Sequence, residues 1–176
     1  MNDLPPIEIE VLAPGDVSPA DRAMFEHLVL EGAEVDPSTL PDLADRALAL
    51  AFARLGGELL GVGAVKRPYV SHRDGVFASA NADCDPGKFG FELGWVYVKP
   101  DHRKKRVSSR LVEKLMPWLN GSAVYATSGV NNDRMHSSLS RFGFKPIGTT
   151  FPSKQNKGEL QLFVCADLKV FGTADA

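Results

Sequence analysis

Hydrophobic and polar residues alternate at the start of the chain and predict a strand. Ile7, Ile9 and Val11 alternate with Glu8 and Glu10, so that one face of the strand is apolar and the other is solvated. The hydrophobic spacing then changes from two residues to three or four. This change predicts that helices follow the strand.

Two helices are predicted after this strand. Ser18 is a suitable N-cap, Pro19 suits the first helical position, and Gly32 ends the first helix. The apolar stripe of this helix predicts core packing by Met24, Phe25, Leu28 and Val29. A second, shorter helix is expected from Asp36 through about Arg46.

A hairpin of two strands follows. Strands are predicted over residues 48–55 and 59–66, and the Gly56-Gly57 pair between them is a turn signal. Gly61 and Gly63 interrupt the second strand. Glycines inside a strand predict a bulge or a close approach of another backbone.

Residues 68–88 are the least periodic stretch of the chain. We expect an irregular loop there, with a short helix around residues 76–80. The run Asp83-Cys84-Asp85 together with His72 matches no standard metal-ligand spacing, so no metal is expected. No His or Asn pattern supports Cys84 as a nucleophile.

A strand followed by a helix, between residues 89 and 116, organises the rest of the chain. The strand ends at Pro100, and one apolar helix face carries Val107, Leu111, Leu115 and Leu119. The turn between them reads His102-Arg103-Lys104-Lys105-Arg106. Cations are unfavourable at the positive end of a helix dipole. The cluster is therefore either a solvated basic turn or an anion site that faces a phosphate.

The remaining elements follow from turn signals. Pro117 ends or kinks the central helix, and a short strand is predicted over residues 123–127. Asn131-Asn132-Asp133 offers caps for a helix to Phe142, which Gly143 ends. Strands at 144–150 and 160–166 and a frayed tail from Thr173 complete the order β-α-α-β-β-β-α-β-α-β-β.

Composition adds limits rather than a function. The 176 residues are 44% apolar and 24% charged, which predicts one domain over 1–176 with its core at about 7–168. A net charge of −2 creates no general attraction for nucleic acid. Two cysteines form no disulfide or metal framework, and no apolar run approaches the length of a membrane span. A cytoplasmic location is the default expectation.

Two segments resemble the GNAT-type N-acetyltransferases. Val98-x-Pro100-x-His102-Arg103-x-x-Arg106-x-Ser108, between a strand and an amphipathic helix, resembles the acetyl-CoA-binding segment of that family. Asn132 and Gly143-Phe144 fall in register with a second family element. The element order also matches, from about Ile7 to Leu168. The resemblance implies an α/β (α+β) fold with a mostly antiparallel, twisted sheet of six to seven strands flanked by about four helices.

The resemblance implies acetyl-CoA as co-substrate and an amine as acceptor. Phosphates would meet the basic turn and the helix N-terminus, and the pantetheine amides would pair with the central strand like an added strand. Asn132 would reach the pantetheine or the phosphate side. The implied cofactor-binding residues are Val96, Tyr97, Val98, Arg103, Lys104, Lys105, Arg106, Val107, Ser108, Ser109 and Asn132.

Two positions depart from the family pattern. Arg106 stands where the first glycine belongs, and a glycine there permits φ > 0 and a close phosphate. An Arg can still donate its backbone N–H if its φ is ordinary. Leu139 stands at the tyrosine position and cannot protonate a thiolate. Ser137, Ser138, Ser140 or a water is the expected substitute, and Ser138 is the candidate placed near the thiolate.

The candidate general base is Glu92, at the start of the central strand. It would deprotonate the amine, through water, if burial lifts its pKa toward neutrality, and a solvent-facing strand residue is the alternative. His72 and His136 are weaker candidates. Acidic residues of the 68–88 segment hint at a cationic acceptor, although a solvated loop explains them equally: Asp74, Asp83 and Asp85.

Three functions are compatible with these residues. The first is an N-acetyltransferase that acts on a small-molecule or peptide amine by direct transfer in a ternary complex. The second is a catalytically weak or inactive CoA-binding sensor or interaction module, which Arg106 and Leu139 favour. The third, a nucleic-acid binder, lacks the aromatic residues that would stack bases near the basic cluster. A homodimer is compatible with the family, and no interface is identified.

Overall fold

The computed structural model describes residues 6–32 and 35–166. The described part holds seven strands and five α-helices, joined in places by short 3-10 helices. In chain order the elements are β1 Ile7–Leu12, α1 Pro19–Glu31, α2 Leu40–Arg46, β2 Ala49–Leu55, β3 Glu58–Lys66, α3 Val70–Ser79, β4 Phe91–Val98, α4 Val107–Leu115, β5 Val124–Gly129, α5 Asp133–Arg141, β6 Lys145–Pro152 and β7 Glu159–Cys165. The predicted end of the core at Leu168 and the frayed tail from Thr173 lie outside the described residues.

The seven strands form one sheet in the order β1-β2-β3-β4-β5-β7-β6. Every neighbouring pair is antiparallel except β4 with β5, which is parallel. The parallel pair needs a crossover connection, and α4 supplies it. The predicted mixed and mostly antiparallel sheet is therefore confirmed.

Helices cover both faces of the sheet. The largest core cluster joins α4 and α5 to one face, and its members on the predicted helix face are all buried: Val107, Leu111, Leu115 and Leu119. A second cluster packs α1 and α2 on the other face around Phe25 and Phe52. Of the predicted α1 stripe, Met24 is the exception, because 45% of it is exposed.

Most of the predicted boundaries agree with the structure to within a few residues. Ser18 accepts a hydrogen bond from the Asp21 N–H at the start of α1, as an N-cap does. Gly56 and Gly57 both have positive φ in the β2–β3 turn. A Cβ on Gly61 would lie 2.9 Å from the Tyr97 carbonyl oxygen, which confirms the predicted close approach.

The stretch 68–88 is where the sequence prediction was wrong. Residues 70–79 form the ten-residue helix α3, instead of an irregular loop with a short helix around residues 76–80. The hydrophobic spacing gave no helical signal because this helix has a single buried residue, Phe77. Tertiary contacts hold α3 at both ends: the Tyr69 hydroxyl donates to Asp42 on α2, and the Thr149 N–H on β6 donates to the Ala80 carbonyl at 2.7 Å.

No helix among the described residues is long and apolar enough to cross a membrane. In the same part of the chain, no group of three His, Cys, Asp or Glu side chains is placed to hold a metal ion.

Candidate active site

A cleft opens between β4 and β5 where the two strands separate. They pair at two positions, Phe91 with Val124 and Glu92 with Tyr125, and no further pairing exists in the described part of the chain. The cleft has a volume of about 810 Å³. Its walls come from both strands, from α3 and α5, and from the β6–β7 hairpin.

A bulge in β4 accounts for the separation. Gly94 is opposite Ala64 and Tyr97 is opposite Val62, so that two β4 residues, Trp95 and Val96, oppose one residue of β3. Trp95 has φ of 53°, an unusual value for a bulky side chain. Bulges bend a strand and raise its twist. The β4 edge beyond Glu92 therefore faces the cleft instead of β5.

The predicted cofactor-binding residues lie in four kinds of position relative to the cleft. Six of them line the cleft, three on β4 and three elsewhere: Val96, Tyr97, Val98, Arg103, Ser108 and Asn132. Lys104, Lys105 and Arg106 are exposed beside the cleft, and Ser109 is half-buried behind it. The Val107 side chain is fully buried in the core, which leaves only its backbone for a ligand.

Two of these wall residues also have structural contacts. Arg103 Nε donates to the Val98 carbonyl at 2.9 Å, and its guanidinium lies 5.5 Å from the centre of the Tyr97 ring. The Asn132 side chain accepts from the Met135 N–H at 3.2 Å and so caps α5. Both side chains are thereby held in place at the edge of the cleft.

Arg106 adopts a left-handed backbone conformation, which ordinarily favours glycine. Its φ and ψ are 57° and 23°, so the ordinary φ on which the sequence argument depended is not present. Arg106 is the N-cap residue of α4 and no side chain caps the helix. The N–H groups of the first helical turn have no acceptor within the helix, which leaves them for an anion.

This strained position gives a test of stability. A left-handed conformation costs an L-residue about 1–2 kcal/mol. We expect Arg106→Gly to raise the free energy of unfolding by about 1 kcal/mol, after the greater freedom of glycine in the unfolded chain is subtracted. Urea unfolding measures it. Arg106→Ala is the matched control, because it removes the same charge and keeps the strain; equal stability of the two variants would contradict the argument.

Four polar side chains meet at the floor of the cleft. Glu92 is 5% exposed and lies opposite Lys66 across the β3–β4 pair. Lys66 Nζ is 2.9 Å from Glu92 Oε1, the Tyr125 hydroxyl donates to Oε2 at 3.1 Å, and His72 Nε2 is 3.4 Å from Oε2. The cluster joins β3, β4, β5 and α3.

The charge of Glu92 follows from these partners. Burial alone would raise the pKa of Glu92, but the charge of Lys66 and the contact with His72 outweigh it and lower the pKa to about 2. The sequence hypothesis needed a pKa lifted toward neutrality, and this condition is contradicted. Burial and the neighbouring Glu92 raise the pKa of Tyr125, so its hydroxyl stays protonated as a donor.

Gly94 lets Lys66 reach the carboxylate. A Cβ on Gly94 would lie 2.8 Å from Lys66 Cε. The lysine therefore crosses directly over the bulge, where its ammonium also lies 4.9 Å from the centre of the Trp95 ring.

The predicted serine, Ser138, lies off the cleft wall, and a different serine, Ser128, lines the cleft. Leu139 lies on the cleft wall, but Ser138 does not, because neighbouring residues of a helix point about 100° apart. Ser128 on β5 does line the cleft, and only 6% of it is exposed. Its hydroxyl has no hydrogen-bond partner among the described residues.

The acidic residues of the 68–88 segment do not form an acceptor site. Asp74 pairs with Arg73 at 2.9 Å, and Asp85 accepts from the Gly87 N–H. Neither residue, nor Asp83, lies on the cleft wall. The hint of a cationic acceptor is therefore not supported by their positions. His136 is also absent from the wall, and its Nε2 lies 2.9 Å from the Gly129 carbonyl oxygen.

Sequence reasoning missed Lys66, Tyr125 and Ser128. Lys66 ends a strand, where a lysine is ordinarily solvated, and its contact with Glu92 depends on the register of β3 against a bulged β4. Tyr125 and Ser128 lie within the short strand β5. No local signal in the sequence distinguishes them.

Comparison with known proteins agrees with this geometry. A model of the acetyltransferase (GNAT) family matches residues 20–144. No curated protein sequence matches the chain.

Several solved structures share the fold. FeeM, an N-acyl amino acid synthase from uncultured soil microbes, has a TM-score of 0.69 at 14% identity, with 91% of this chain and 90% of that chain covered. The putative acetyltransferase yncA from Salmonella typhimurium, solved with acetyl-CoA, gives 0.62 at 17% identity, covering 97% and 99%. The ribosomal-protein-S18-alanine N-acetyltransferase from Escherichia coli gives 0.63 at 12% identity, covering 96% and 99%.

Proposed function

This chain belongs to the GNAT acetyltransferase family, and from that premise we propose that it transfers an acetyl group from acetyl-CoA to a primary amine. The acceptor is the amine of a small molecule or a peptide, and transfer is direct, in a ternary complex. The main support for this proposal is the cleft that opens where β4 and β5 separate. This cleft extends from the free β4 edge to the N-terminus of α4.

The β4 edge suits a molecule that carries amides. Backbone N–H and C=O groups beyond Glu92 face the cleft and can pair with the pantetheine amides as an added strand would. The buried Ser128 hydroxyl offers one further polar contact, since an unsatisfied buried hydroxyl is costly and a polar ligand atom would relieve that cost. The residues present therefore fit acetyl-CoA.

The mouth of the cleft suits phosphates. Arg103 and Arg134 line it, and the exposed Lys104, Lys105 and Arg106 lie beside it. Their charge, and the free N–H groups of the first turn of α4, favour an anion there. Under this proposal, the basic turn binds an anion and is not simply a solvated loop.

Direct transfer balances without a further reactant. A bond forms between the amine nitrogen and the acetyl carbon, the carbon–sulfur bond breaks, and the amine loses a proton while the thiolate gains one. Glu92 to Trp95 lie at the floor of the cleft, where β4 and β5 separate. The acetyl group would react there, between the phosphate-facing mouth and α3.

An inactive CoA-binding module is the second candidate. Two observations favour it: Leu139 lines the cleft without an acidic proton, and Arg106 strains the start of α4. A turnover assay separates the two. We expect thiol release with at least one primary amine in a panel of small-molecule and peptide amines; acetyl-CoA binding with no release from any amine would favour the module.

Calorimetry on Arg103→Ala tests the placement of the cofactor. We expect the variant to bind acetyl-CoA about tenfold more weakly, because one charge-assisted contact to phosphate is lost. Arg141→Ala is the matched control, since Arg141 is an exposed arginine in the last turn of α5 and does not line the cleft. Equal affinities of the wild type and Arg103→Ala would place the phosphates elsewhere.

The cytoplasmic location and a homodimer stay predictions. No disulfide joins Cys84, which is exposed, to Cys165, which is buried, and this is compatible with a reducing compartment.

A further inference from the structure

His72 on α3 faces the buried carboxylate of Glu92 from the open side of the cleft. Its Nε2 lies 3.4 Å from Glu92 Oε2, and 52% of its side chain is exposed. We propose that His72 is the general base of the transfer and that Glu92 is a positioning residue that orients the imidazole. The inference rests on the proposed function and deepens it, because it assigns the proton acceptor.

The partners of Glu92 argue against this carboxylate as the base. Lys66 occupies one oxygen, and Tyr125 and His72 both face the other. A carboxylate held by three donors has its lone pairs engaged and binds a proton weakly, in agreement with its pKa of about 2. A base of this strength provides little driving force for removing a proton from an amine.

His72 has the access that Glu92 lacks. When Nε2 carries the proton and donates toward Glu92, Nδ1 keeps a lone pair for a substrate proton. The imidazole is half-exposed and lines the cleft. Histidine is also the side chain that enzymes use most often as a general base.

The charged surroundings of His72 come from four elements. Glu92 on β4 faces it directly, and Lys66 on β3 and Tyr125 on β5 reach it through that carboxylate. On α3 itself, Arg73 and Asp74 pair with each other at 2.9 Å. Glu92 is therefore the group whose charge acts most directly on the imidazole.

The proton that the amine loses ends on the leaving thiolate. As the bond between nitrogen and the acetyl carbon forms, His72 Nδ1 takes the amine proton, directly or through one water. The carbon–sulfur bond breaks and leaves a thiolate. The proton on the imidazolium then passes through water to that thiolate, and His72 returns to its neutral form.

His72→Gln tests the base. We expect kcat/KM for the amine to fall about 100-fold or more, with KM for acetyl-CoA within twofold of the wild type. The acid limb of the pH profile of kcat/KM should disappear, which a structural role would not cause. His136→Gln is the matched control, because His136 lies outside the cleft wall. Circular dichroism checks that each variant is folded.

Glu92→Gln separates the two roles. As a positioning residue, Glu92 fixes the orientation and tautomer of the imidazole, so the variant should lose about tenfold in kcat/KM and keep the acid limb that His72→Gln removes. If Glu92 were the base, the variant would lose activity at every pH while His72→Gln stayed within threefold of the wild type. That result would overturn the inference and leave the proposed function intact.

The wild type distinguishes a failure of the proposed function. Acetyl-CoA binding without turnover of any amine would overturn the acetyltransferase, and the base with it. Turnover by the wild type that His72→Gln does not alter would overturn the base alone.

Discussion

Lys66→Met should lower the free energy of unfolding by about 3 kcal/mol at pH 7, since breaking a buried ion pair leaves an uncompensated charge. The side chains of Lys66 and Glu92 are 13% and 6% exposed, so little water replaces the lost partner. Met has a similar length but loses the contact of the ammonium with the Trp95 ring. Urea unfolding monitored by tryptophan fluorescence measures the loss.

The loss should depend on pH in a defined direction. In the wild type the pKa of Glu92 is lowered from 4.5 to about 2, so its contribution to stability is present above pH 4.5 and is lost as pH falls towards 2. In Lys66→Met, burial still raises the pKa of Glu92, and only His72 and Tyr125 remain to oppose it. The pKa of Glu92 is therefore expected to rise. The difference between wild type and variant should therefore be largest above pH 4.5 and shrink below it.

Two further variants serve as controls. The double variant Lys66→Met, Glu92→Gln removes both charges and should recover most of the loss, because no buried charge remains. Lys99→Met breaks the exposed bridge to Glu58, whose side chain is 65% exposed, and should cost less than about 1 kcal/mol. A loss for Lys66→Met no larger than for Lys99→Met would mean that cleft water solvates the pair.

Gly148→Ala should destabilise the protein by about 3 kcal/mol. Gly148 has φ of 69°, and a Cβ there would lie 2.1 Å from the Ala80 carbonyl oxygen. Backbone strain and overpacking each cost about 1–3 kcal/mol, and the neighbouring atom is backbone that cannot rotate away. Denaturant unfolding measures the change.

The same substitution should loosen α3. The Ala80 carbonyl accepts the Thr149 N–H at 2.7 Å, and Asn81 Nδ2 donates to the Thr149 hydroxyl at 3.2 Å. Displacing Gly148 separates these groups. We expect faster amide hydrogen exchange at Thr149, and lower activity because His72 is carried on α3.

Gly121→Ala is the matched control for this prediction. Gly121 has φ of 81°, yet nothing lies within 4 Å of its added Cβ. It tests backbone strain without the collision and should cost about 1 kcal/mol. Equal losses for Gly121→Ala and Gly148→Ala would show that the Ala80 contact yields at little cost.

Most features at the mouth of the cleft were predictable from the sequence. The basic turn, the start of α4 and the Asn132 cap are all local features, in which residues close in the chain act together. Arg106 was also recognisable as a substituted glycine. Its left-handed backbone was not, because the conformation depends on how α4 packs against the sheet.

The floor of the cleft could not be read in this way. Glu92 was recognised as a candidate, but its protonation state depends on Lys66, His72 and Tyr125, which lie on three other elements. Helix α3 was misjudged because its single buried residue gives no periodic signal. Its position comes from its contacts with α2 and β6.

The strands, four of the helices, the hairpin turn and the basic turn were predictable from the sequence, because they depend on spacing, caps and turn residues within a few positions. Three features came from contacts between distant elements: the separation of β4 from β5, the pairing of Lys66 with Glu92, and the position of His72 at the cleft. The physical reason is that a bulge shifts register by one residue, and pairing between distant strands converts that shift into a site.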